Sequence, residues 1–258
     1  MKKVGLALGG GGARGVAHLA YLKALDEIGI RPSVISGTSS GAIVGALYAG
    51  GKGPDDILAV LQNMFKVNNG NRKSFKKLEK LPRSLISAAA KKALSGMLPC
   101  ERFEDLSIPL KVVATNFRTL EERVFSEGDI FEALMSSIAL PGVFVPQKVQ
   151  DAYFLDGGAT NVVPFDIIRE ECDILIAIDV SQVRPNEFRP NEKNAVLASW
   201  AATHELLISM KLNECPVEIF ERPTFENIRT MEFFKYQRIY ETAQQYVPEF
   251  INKIQKII

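Results

Sequence analysis

Length, composition and charge exclude several classes of protein. The chain has 258 residues, of which 47% are hydrophobic and 24% are charged. This mixture is typical of a globular protein and excludes a disordered, collagen-like or coiled-coil chain. The 31 lysines and arginines nearly balance the 30 aspartates and glutamates, so no overall field attracts nucleic acid or an acidic partner. We expect a single domain over residues 1–258.

The cysteines and the apolar runs bear on the cellular compartment. Cys100, Cys172 and Cys215 are odd in number, widely spaced and without a C-x-x-C pair. They predict neither a disulfide framework nor a zinc site, and they suit a reducing compartment. The apolar run Val4–Leu8 is too short for a signal-peptide core, and no run approaches the ~20 residues of a membrane span. We therefore expect a cytoplasmic protein.

The chain opens with two strand–turn–helix units. Val4–Leu8 is apolar and ends in glycines, which predicts a buried strand, and Val16–Ile28 carries leucines at helical spacing. In the second unit, a strand at Ser33–Ser36 leads through a glycine–serine turn into a small-residue helix at Ala42–Ala49. Both units predict a strand end, a sharp turn and a helix N-terminus at one edge of a sheet.

Further elements alternate between strand and helix patterns. β-rich runs lie at Leu110–Asn116, Arg123–Ser126, Ala152–Leu155 and Ile174–Val180, and helical patterns lie at Ile130–Ile138 and Asn194–Leu212. Such alternation is typical of an α/β protein. We predict a three-layer fold in which a mainly parallel central sheet carries helices on both faces.

A basic segment, Lys66–Lys92, interrupts this alternation. It holds nine lysines and arginines against one acid, Glu79, and apolar residues at helical spacing follow in Ser84–Leu98. One interpretation of region 66–98 is a solvated, charged face over an internal helix. Nucleic-acid binding is disfavoured because only Phe65 and Phe75 accompany the charges.

The first turn is a glycine loop with several interpretations. Gly10, Gly12 and Gly15 match the G-x-G-x-x-G pattern of dinucleotide sites, but the next strand ends in Gly-Thr-Ser without an acid for a ribose. A phosphate-binding P-loop would need lysine where Val16 stands. The glycines could instead bring backbone N–H groups close to a substrate oxygen, as in an oxyanion hole, or form a tight turn without a ligand.

The second turn matches the pattern of a serine nucleophile. Residues 37–41 read Gly-Thr-Ser-Ser-Gly, the G-x-S-x-G arrangement in which a strained strand-to-helix turn exposes the serine, here Ser39. A serine hydroxyl needs a base within hydrogen-bond reach. The chain offers two histidines, His18 within the first helical pattern and His204 within a later one. The order Ser39, Asp156, His204 is that of an α/β-hydrolase triad, which leaves His204 open as the base.

A carboxylate is the other candidate for the base. Asp156 follows the apolar run Ala152–Leu155 and is succeeded by Gly157 and Gly158. It would therefore end a strand at the same sheet edge as the glycine loop and Ser39, which is where open α/β sheets gather their catalytic groups. An Asp-Gly-Gly sequence by itself is also a common turn.

Together these motifs resemble those of the patatin-like phospholipase family. The family pattern is a G-G-G-x-R-G loop, a G-x-S-x-G turn and a D-G-[AG] motif, here Gly10–Gly15, Gly37–Gly41 and Asp156–Gly158 in the same order. The stretch Ser137–Pro146 is also similar to the family's segment before the aspartate strand. The resemblance spans roughly residues 4–181. It implies a patatin-like variant of the α/β-hydrolase fold.

The resemblance implies a role for each motif. Ser39 would be the acyl-accepting nucleophile and Asp156 its general base in a two-residue dyad. The nucleophile turn would be bounded by Gly37 and Gly41, and the dyad turn would be completed by Gly157 and Gly158. The oxyanion and substrate-binding loop would consist of Gly10, Gly11 and Gly12 as donors, with Arg14 and Gly15 supporting the loop or the charge of the substrate.

The implied activity is hydrolysis of a carboxylic ester of a lipid through an acyl-serine intermediate, with no metal or organic cofactor. Two alternatives stay open: a catalytically weak regulatory or lipid-binding protein on the same fold, and an acyltransferase with the same dyad. The implied partners are a lipid or ester substrate and, through Lys66–Lys92, a membrane surface. Region 66–98 could dock on that surface or cover the acyl pocket as a lid. The resemblance is weaker beyond Val180, and we expect residues 193–258 to be a helical part of the same domain. Within it, we expect the stretch Met231–Ile258, which Pro248 interrupts, to form amphipathic helices that pack and carry no functional residue.

Overall fold

The computed structural model describes residues 2–67, 82–182 and 191–258. Eight strands lie in these ranges: β1 (Val4–Leu8), β2 (Val34–Thr38), β3 (Leu110–Asn116), β4 (Glu122–Phe125), β5 (Gln147–Val149), β6 (Ala152–Asp156), β7 (Ile174–Ile178) and β8 (Ile219–Glu221). The same ranges hold eight α-helices: α1 (His18–Glu27), α2 (Ser40–Ala49), α3 (Pro54–Val67), α4 (Arg83–Ser95), α5 (Ile130–Ser137), α6 (Glu192–Glu214), α7 (Tyr236–Gln244) and α8 (Val247–Gln255).

The strands form one mixed, mostly parallel sheet in the order β5-β6-β3-β2-β1-β7-β8, with β4 also paired to β3. β1 lies in the middle and pairs in parallel with β2 and β7, and the pairs β2–β3 and β7–β8 are parallel as well. β4, β5 and β6 join by antiparallel pairing. Every residue of β1, β2 and β7 is buried. Burial on both faces explains why β1 and β7 are continuous apolar runs, whereas β2 also buries the polar residues Ser36 and Thr38. The predicted fold class is confirmed.

Local signals set the starts of two helices. α3 begins at Pro54, whose missing N–H costs nothing in a first turn, and Asp55 and Asp56 follow there as favourable charges. α5 begins after Asp129, whose Oδ1 accepts the amide of Glu132 at 2.9 Å. These caps define where each helix starts, and burial of the apolar face against the sheet supplies most of the stabilisation.

Three elements escaped the sequence analysis. Strands β5 and β8 have three residues each, which is too short for a period of two to stand out. α3 lies partly in the basic segment and was not predicted. β8 lies inside residues 193–258, so the part that we expected to be helical also contributes an edge strand, which pairs with Ile176–Ile178 of β7.

The C-terminal helices pack against the first one. Phe250 of α8 is fully buried, and its ring meets the ring of Tyr21 of α1 edge-on at 5.0 Å between centroids. Ile239 of α7 and Ile254 of α8 are buried in the same core. Pro248 falls in the first turn of α8, where proline is well tolerated. Helices α7 and α8 thus add their buried residues to the core around α1.

Most of the basic segment Lys66–Lys92 lies outside the described residues, so its docking or lid role stays a prediction. The last part of that segment belongs to α4, whose Leu85 is 55% exposed. Ser87 of α4 is buried, and its Oγ accepts the amide of Val145 at 3.2 Å. In the part of the chain that the structure describes, no helix is both long and apolar enough to cross a bilayer. All three cysteines are free thiols.

Candidate active site

The register of the sheet brings Ser39 and Asp156 together. Thr38, the last residue of β2, pairs with Val113 of β3, and Asp156, the last residue of β6, pairs with the next residue, Ala114. β2 runs parallel to β3 and β6 runs antiparallel to it. The carboxyl ends of β2 and β6 therefore approach each other along β3, and two residues 117 positions apart in sequence come into contact.

Ser39 has the geometry of an exposed nucleophile on a strained turn. Its backbone adopts φ 54° and ψ −120° between β2 and α2, a conformation that costs a non-glycine residue about 1–3 kcal/mol. Its Oγ donates a hydrogen bond to Oδ2 of Asp156 at 2.8 Å. Its amide donates to Oγ of Ser137 at 2.8 Å. The strain predicted for a G-x-S-x-G turn is thus present at the serine itself.

Asp156 lies in a dry environment at the end of β6. The residue is 3% exposed, and its Oδ1 accepts the amide of Gly158 at 2.8 Å. Burial raises the pKa of the Asp156 carboxyl to about 6, and the hydrogen bonds from Gly158 and Ser39 offset part of that rise. A carboxylate whose pKa is near neutrality can both accept a serine proton and return it to a leaving group.

The glycine loop lies directly beside Ser39. A Cβ atom on Gly10 would stand 3.2 Å from the Cβ of Ser39. The Gly10 amide, however, donates to the carbonyl of Val162 at 2.8 Å, and the Gly11 amide donates to Oγ of Ser40 at 3.1 Å. These bonds differ from the expectation that all three amides point at the substrate. Among the described residues, the Gly12 amide has no hydrogen-bond acceptor.

Close approach of the backbone explains two of the motif glycines. Gly12 has φ +60°, and a Cβ atom there would stand 2.3 Å from the carbonyl oxygen of Thr230. A Cβ atom on Gly41 would stand 2.1 Å from the carbonyl oxygen of Leu8. Helix α2 can therefore lie against β1 only because position 41 is glycine. Gly15, Gly37 and Gly157 are further motif glycines at the ends of these turns.

Arg14 supports the loop from behind. The residue is 2% exposed, and its guanidinium donates to the carbonyl of Ser181 at 3.0 Å, to that of Gln182, and to Oγ1 of Thr230 at 3.4 Å. These contacts tie the 3-10 helix after the glycine loop, Gly12–Ala17, to the segment after β7. Of the two roles expected for Arg14, the geometry favours support of the loop over contact with a substrate charge.

Neither histidine is hydrogen-bonded to Ser39 or Asp156. His18 is fully buried, and its Nε2 lies 2.8 Å from the carbonyl oxygen of Gly9. Burial lowers the pKa of His18 to about 4, so the neutral ring donates to that carbonyl. His204 of α6 lies instead against the dyad turn. The residues Ser39, Asp156 and His204 follow the chain order of a triad, but they do not form a hydrogen-bonded triad. The geometry favours direct contact between Ser39 and Asp156.

A buried ion pair lies beyond the glycine loop, at the ends of β7 and β8. Oδ2 of Asp179, which is fully buried, accepts Nε of Arg222 at 2.6 Å, and Oδ1 accepts the hydroxyl of Ser181 at 2.6 Å. Nη1 of Arg222 also donates to Glu205 of α6 at 2.9 Å. These bonds fasten α6 to the sheet. No group of three histidine, cysteine or acidic residues in the described ranges could hold a metal ion.

Two serines that support the site were not predicted from the sequence. Ser137 holds the amide of the nucleophile, and Ser40 holds the Gly11 amide of the loop. Nothing distinguishes either from other serines in the sequence by pattern alone. The available signal is position: Ser40 follows the nucleophile directly, and Ser137 begins the stretch Ser137–Pro146 that resembles the family.

Comparison with known proteins finds relatives among the patatin-like phospholipases. A family model described as patatin-like phospholipase matches residues 6–169. Patatin-like phospholipase domain-containing protein ZK370.4 of Caenorhabditis elegans is 29% identical over 97% of this chain and 21% of its own length. Lysophospholipase NTE1 of Kluyveromyces lactis is 27% identical over 98% of this chain and 19% of its own length. The chain thus spans about a fifth of these relatives.

A solved structure shares the fold. The crystal structure of VipD from Legionella pneumophila superimposes with a TM-score of 0.51 and 17% identity, covering 97% of this chain and 66% of that one. The family model covers more than half of the chain and includes the glycine loop, Ser39 and Asp156. On these grounds, the chain belongs to the patatin-like phospholipase family.

Proposed function

We propose that this protein is a serine lipid acyl hydrolase that cleaves carboxylic esters through an acyl-Ser39 intermediate, with Asp156 as the general base. The observation that carries the proposal is the 2.8 Å hydrogen bond from Ser39 Oγ to Asp156 Oδ2. It joins a strained serine to a carboxylate whose pKa burial has raised to about 6. Membership of a phospholipase family supports a lipid ester as the substrate class.

The first half of the reaction forms the acyl-enzyme. Ser39 Oγ attacks the ester carbonyl carbon and gives its proton to Oδ2 of Asp156. The carbonyl oxygen becomes an oxyanion, which the unpartnered Gly12 amide and the N-terminal dipole of α2 stabilise. The bond to the leaving oxygen then breaks, Asp156 returns the proton to it, and the alcohol departs.

The second half releases the acid. A water molecule takes the place of the alcohol, gives a proton to Asp156 and attacks the acyl carbon. Asp156 returns that proton to Ser39 Oγ as the acyl–serine bond breaks. The same carboxylate therefore acts as base and then as acid in each half, and no histidine carries a proton between them.

The proposal is tested by hydrolysis of two substrate types by the purified full chain. One is a series of p-nitrophenyl esters of increasing acyl length, and the other is lysophosphatidylcholine, because one relative is named a lysophospholipase. We expect Ser39→Ala and Asp156→Asn to lose about a thousandfold in kcat/KM. The matched controls Ser209→Ala and Asp151→Asn, at exposed positions, should retain the parent rate.

Each alternative has its own outcome. A parent protein that turns over neither substrate faster than Ser39→Ala would overturn hydrolysis and favour a regulatory or lipid-binding role. Faster transfer of the acyl group to an added alcohol than to water would identify an acyltransferase. Retention of activity in Asp156→Asn would show that the dyad is wrong while leaving Ser39 as the nucleophile.

A further inference from the structure

His204 is a half-buried side chain that the reaction described above does not use. It lies on α6 with its ring 5.3 Å from the ring of Trp200, measured between centroids. A Cβ atom on Gly158 would stand 3.5 Å from Nε2 and 3.7 Å from Cε1 of His204. The ring therefore packs directly on the residue whose amide holds the carboxylate of Asp156.

One nitrogen of this ring has no hydrogen-bond partner among the described residues. Nε2 of His204 is shielded from solvent, and no described residue lies within hydrogen-bond geometry of it. A buried polar atom without a hydrogen-bond partner lowers the stability of the folded state by about 1–3 kcal/mol. Such an atom beside a catalytic turn calls for an explanation other than stability.

The groups around His204 keep its ring neutral. Burial lowers its pKa, the backbone of Gly158 and the charge of Asp179 at the end of β7 offset part of that effect, and Arg14 from the 3-10 helix lowers it again. Glu205, the next residue on α6, is paired with Arg222. At neutral pH, an uncharged aromatic ring thus covers the dyad turn.

We propose, resting on the function proposed above, that His204 is a positioning residue for the general base: its neutral ring packs on Gly158 and keeps water away from Asp156. It is not a catalytic residue, because it contacts neither the nucleophile nor the carboxylate by a hydrogen bond. The ring holds the Gly158 amide against Oδ1 and preserves the dry surroundings in which the carboxylate binds its proton more tightly than in water.

The proposal predicts opposite results for two variants of His204. His204→Ala opens a space that water can fill, so the pKa of Asp156 falls towards its ordinary value. The acid limb of the kcat/KM profile should then move to lower pH by about one unit, and the rate at pH 7.5 should fall about tenfold. His204→Phe keeps the buried ring without its nitrogens, and it should retain the acid limb and the rate within about threefold.

The experiment combines two readouts on the full chain. The pH profile is measured with a soluble p-nitrophenyl ester for the parent, both variants and the control Met210→Ala, an exposed position on the same helix. The titration of Asp156 is followed separately by carbon NMR of protein labelled at the aspartate carboxyls. The resonance of the Asp156 carboxyl carbon is the one that is missing from the spectrum of Asp156→Asn. The titration requires no turnover, so it tests His204 even if the hydrolase proposal fails.

Two outcomes would overturn the proposal. If His204→Ala loses stability but keeps the parent's acid limb and Asp156 titration, the ring has a purely structural role. If His204→Phe is folded yet as inactive as His204→Ala, a nitrogen of His204 takes part in proton transfer and shielding is the wrong account. The proposal would be supported if the pKa of Asp156 shifts in His204→Ala and keeps the parent value in His204→Phe.

Discussion

Two residues of the site are held in states that are unfavourable in isolation. Ser39 has a left-handed backbone that side chains avoid, and Asp156 has a carboxyl group buried away from water. Each is held by specific hydrogen bonds, Ser39 through its amide to Ser137 and Asp156 through the amide of Gly158. The surrounding fold therefore maintains both the strained backbone of Ser39 and the raised proton affinity of Asp156.

Ser137 tests how the strain at Ser39 is held. Ser137→Ala removes the acceptor of the Ser39 amide, and we expect a loss of about 1 kcal/mol in stability and a several-fold loss in kcat with little change in KM. The measurements are urea unfolding and steady-state kinetics on a soluble ester. Ser136→Ala is the control, because that hydroxyl bonds only to Glu132 within its own helix. Unchanged kcat in Ser137→Ala would contradict the role.

The acid limb of the rate profile should report Asp156. The carboxyl must be ionised to accept the proton of Ser39, and its pKa is raised to about 6. We therefore expect kcat/KM to rise with pH through an apparent pKa of about 6 and to level off above it. A plateau that continues down to pH 4.5 would show that the base has an ordinary carboxyl pKa, or that another group is the base.

At the scale of elements, the site depends on how closely α2 approaches β1. Gly41 lies in the first turn of α2, where a side chain would meet the backbone of Leu8. The N-terminus of α2 is thereby brought to the carboxyl end of the central strands, beside Ser39. Close packing of small residues thus places the helix dipole at the point where the oxyanion would form.

Gly41→Ala should therefore lower the stability of the fold as well as the activity. Its Cβ atom would lie 2.1 Å from the Leu8 carbonyl oxygen, so α2 must move or the strand must distort. We expect a loss of about 3 kcal/mol or more in thermal or urea unfolding. Gly96→Ala serves as the control, because the nearest atoms to its added Cβ are 3.8 Å away. Equal stability of the two variants would show that α2 can shift at no cost.

At the scale of the whole molecule, one buried carboxyl couples folding to pH. The pKa of Asp156 is about 6 in the folded state and 3.8 for the free group. The folded chain therefore holds this proton more tightly than the unfolded chain. Stability falls as pH rises from about 3.8 to about 6, and above that range the folded state carries a constant cost. The site is therefore a source of instability at neutral pH.

Asp156→Asn should remove that cost. Below pH 3.8 the parent and the variant should have similar stability, because the carboxyl is protonated in both states of the parent. At pH 8 the variant should be more stable by on the order of 3 kcal/mol, from the difference between the two pKa values. Urea unfolding of both proteins at pH 3.5 and pH 8 checks this. A variant that is less stable than the parent at pH 8 would contradict it.

Much of the fold and the two residues proposed for catalysis could be predicted from the sequence. β1 and β3 were predicted with the bounds that the structure gives them. β1 is a fully buried apolar run that ends in glycines, and β3 has four consecutive buried residues at its centre, residues 112–115. β5 and β8 were missed, since three-residue strands exist only through pairing with β6 and β7. The supporting roles of Ser137 and Ser40 were missed for the same reason, because contacts between residues far apart in the chain produce no periodic pattern in the sequence.

The strand–turn–helix units, the glycine and serine turns and the motifs of the family all consist of residues that are neighbours in the chain. These features could therefore be predicted from the sequence. Tertiary contacts, in contrast, bring one of the two candidate bases, Asp156, against Ser39. Both Asp156 and His204 follow it in an order compatible with catalysis, and the register of β2 and β6 along β3 selects Asp156. The same packing buries that carboxyl and so raises its pKa, because desolvation depends on what surrounds a group and not on its neighbours in the chain.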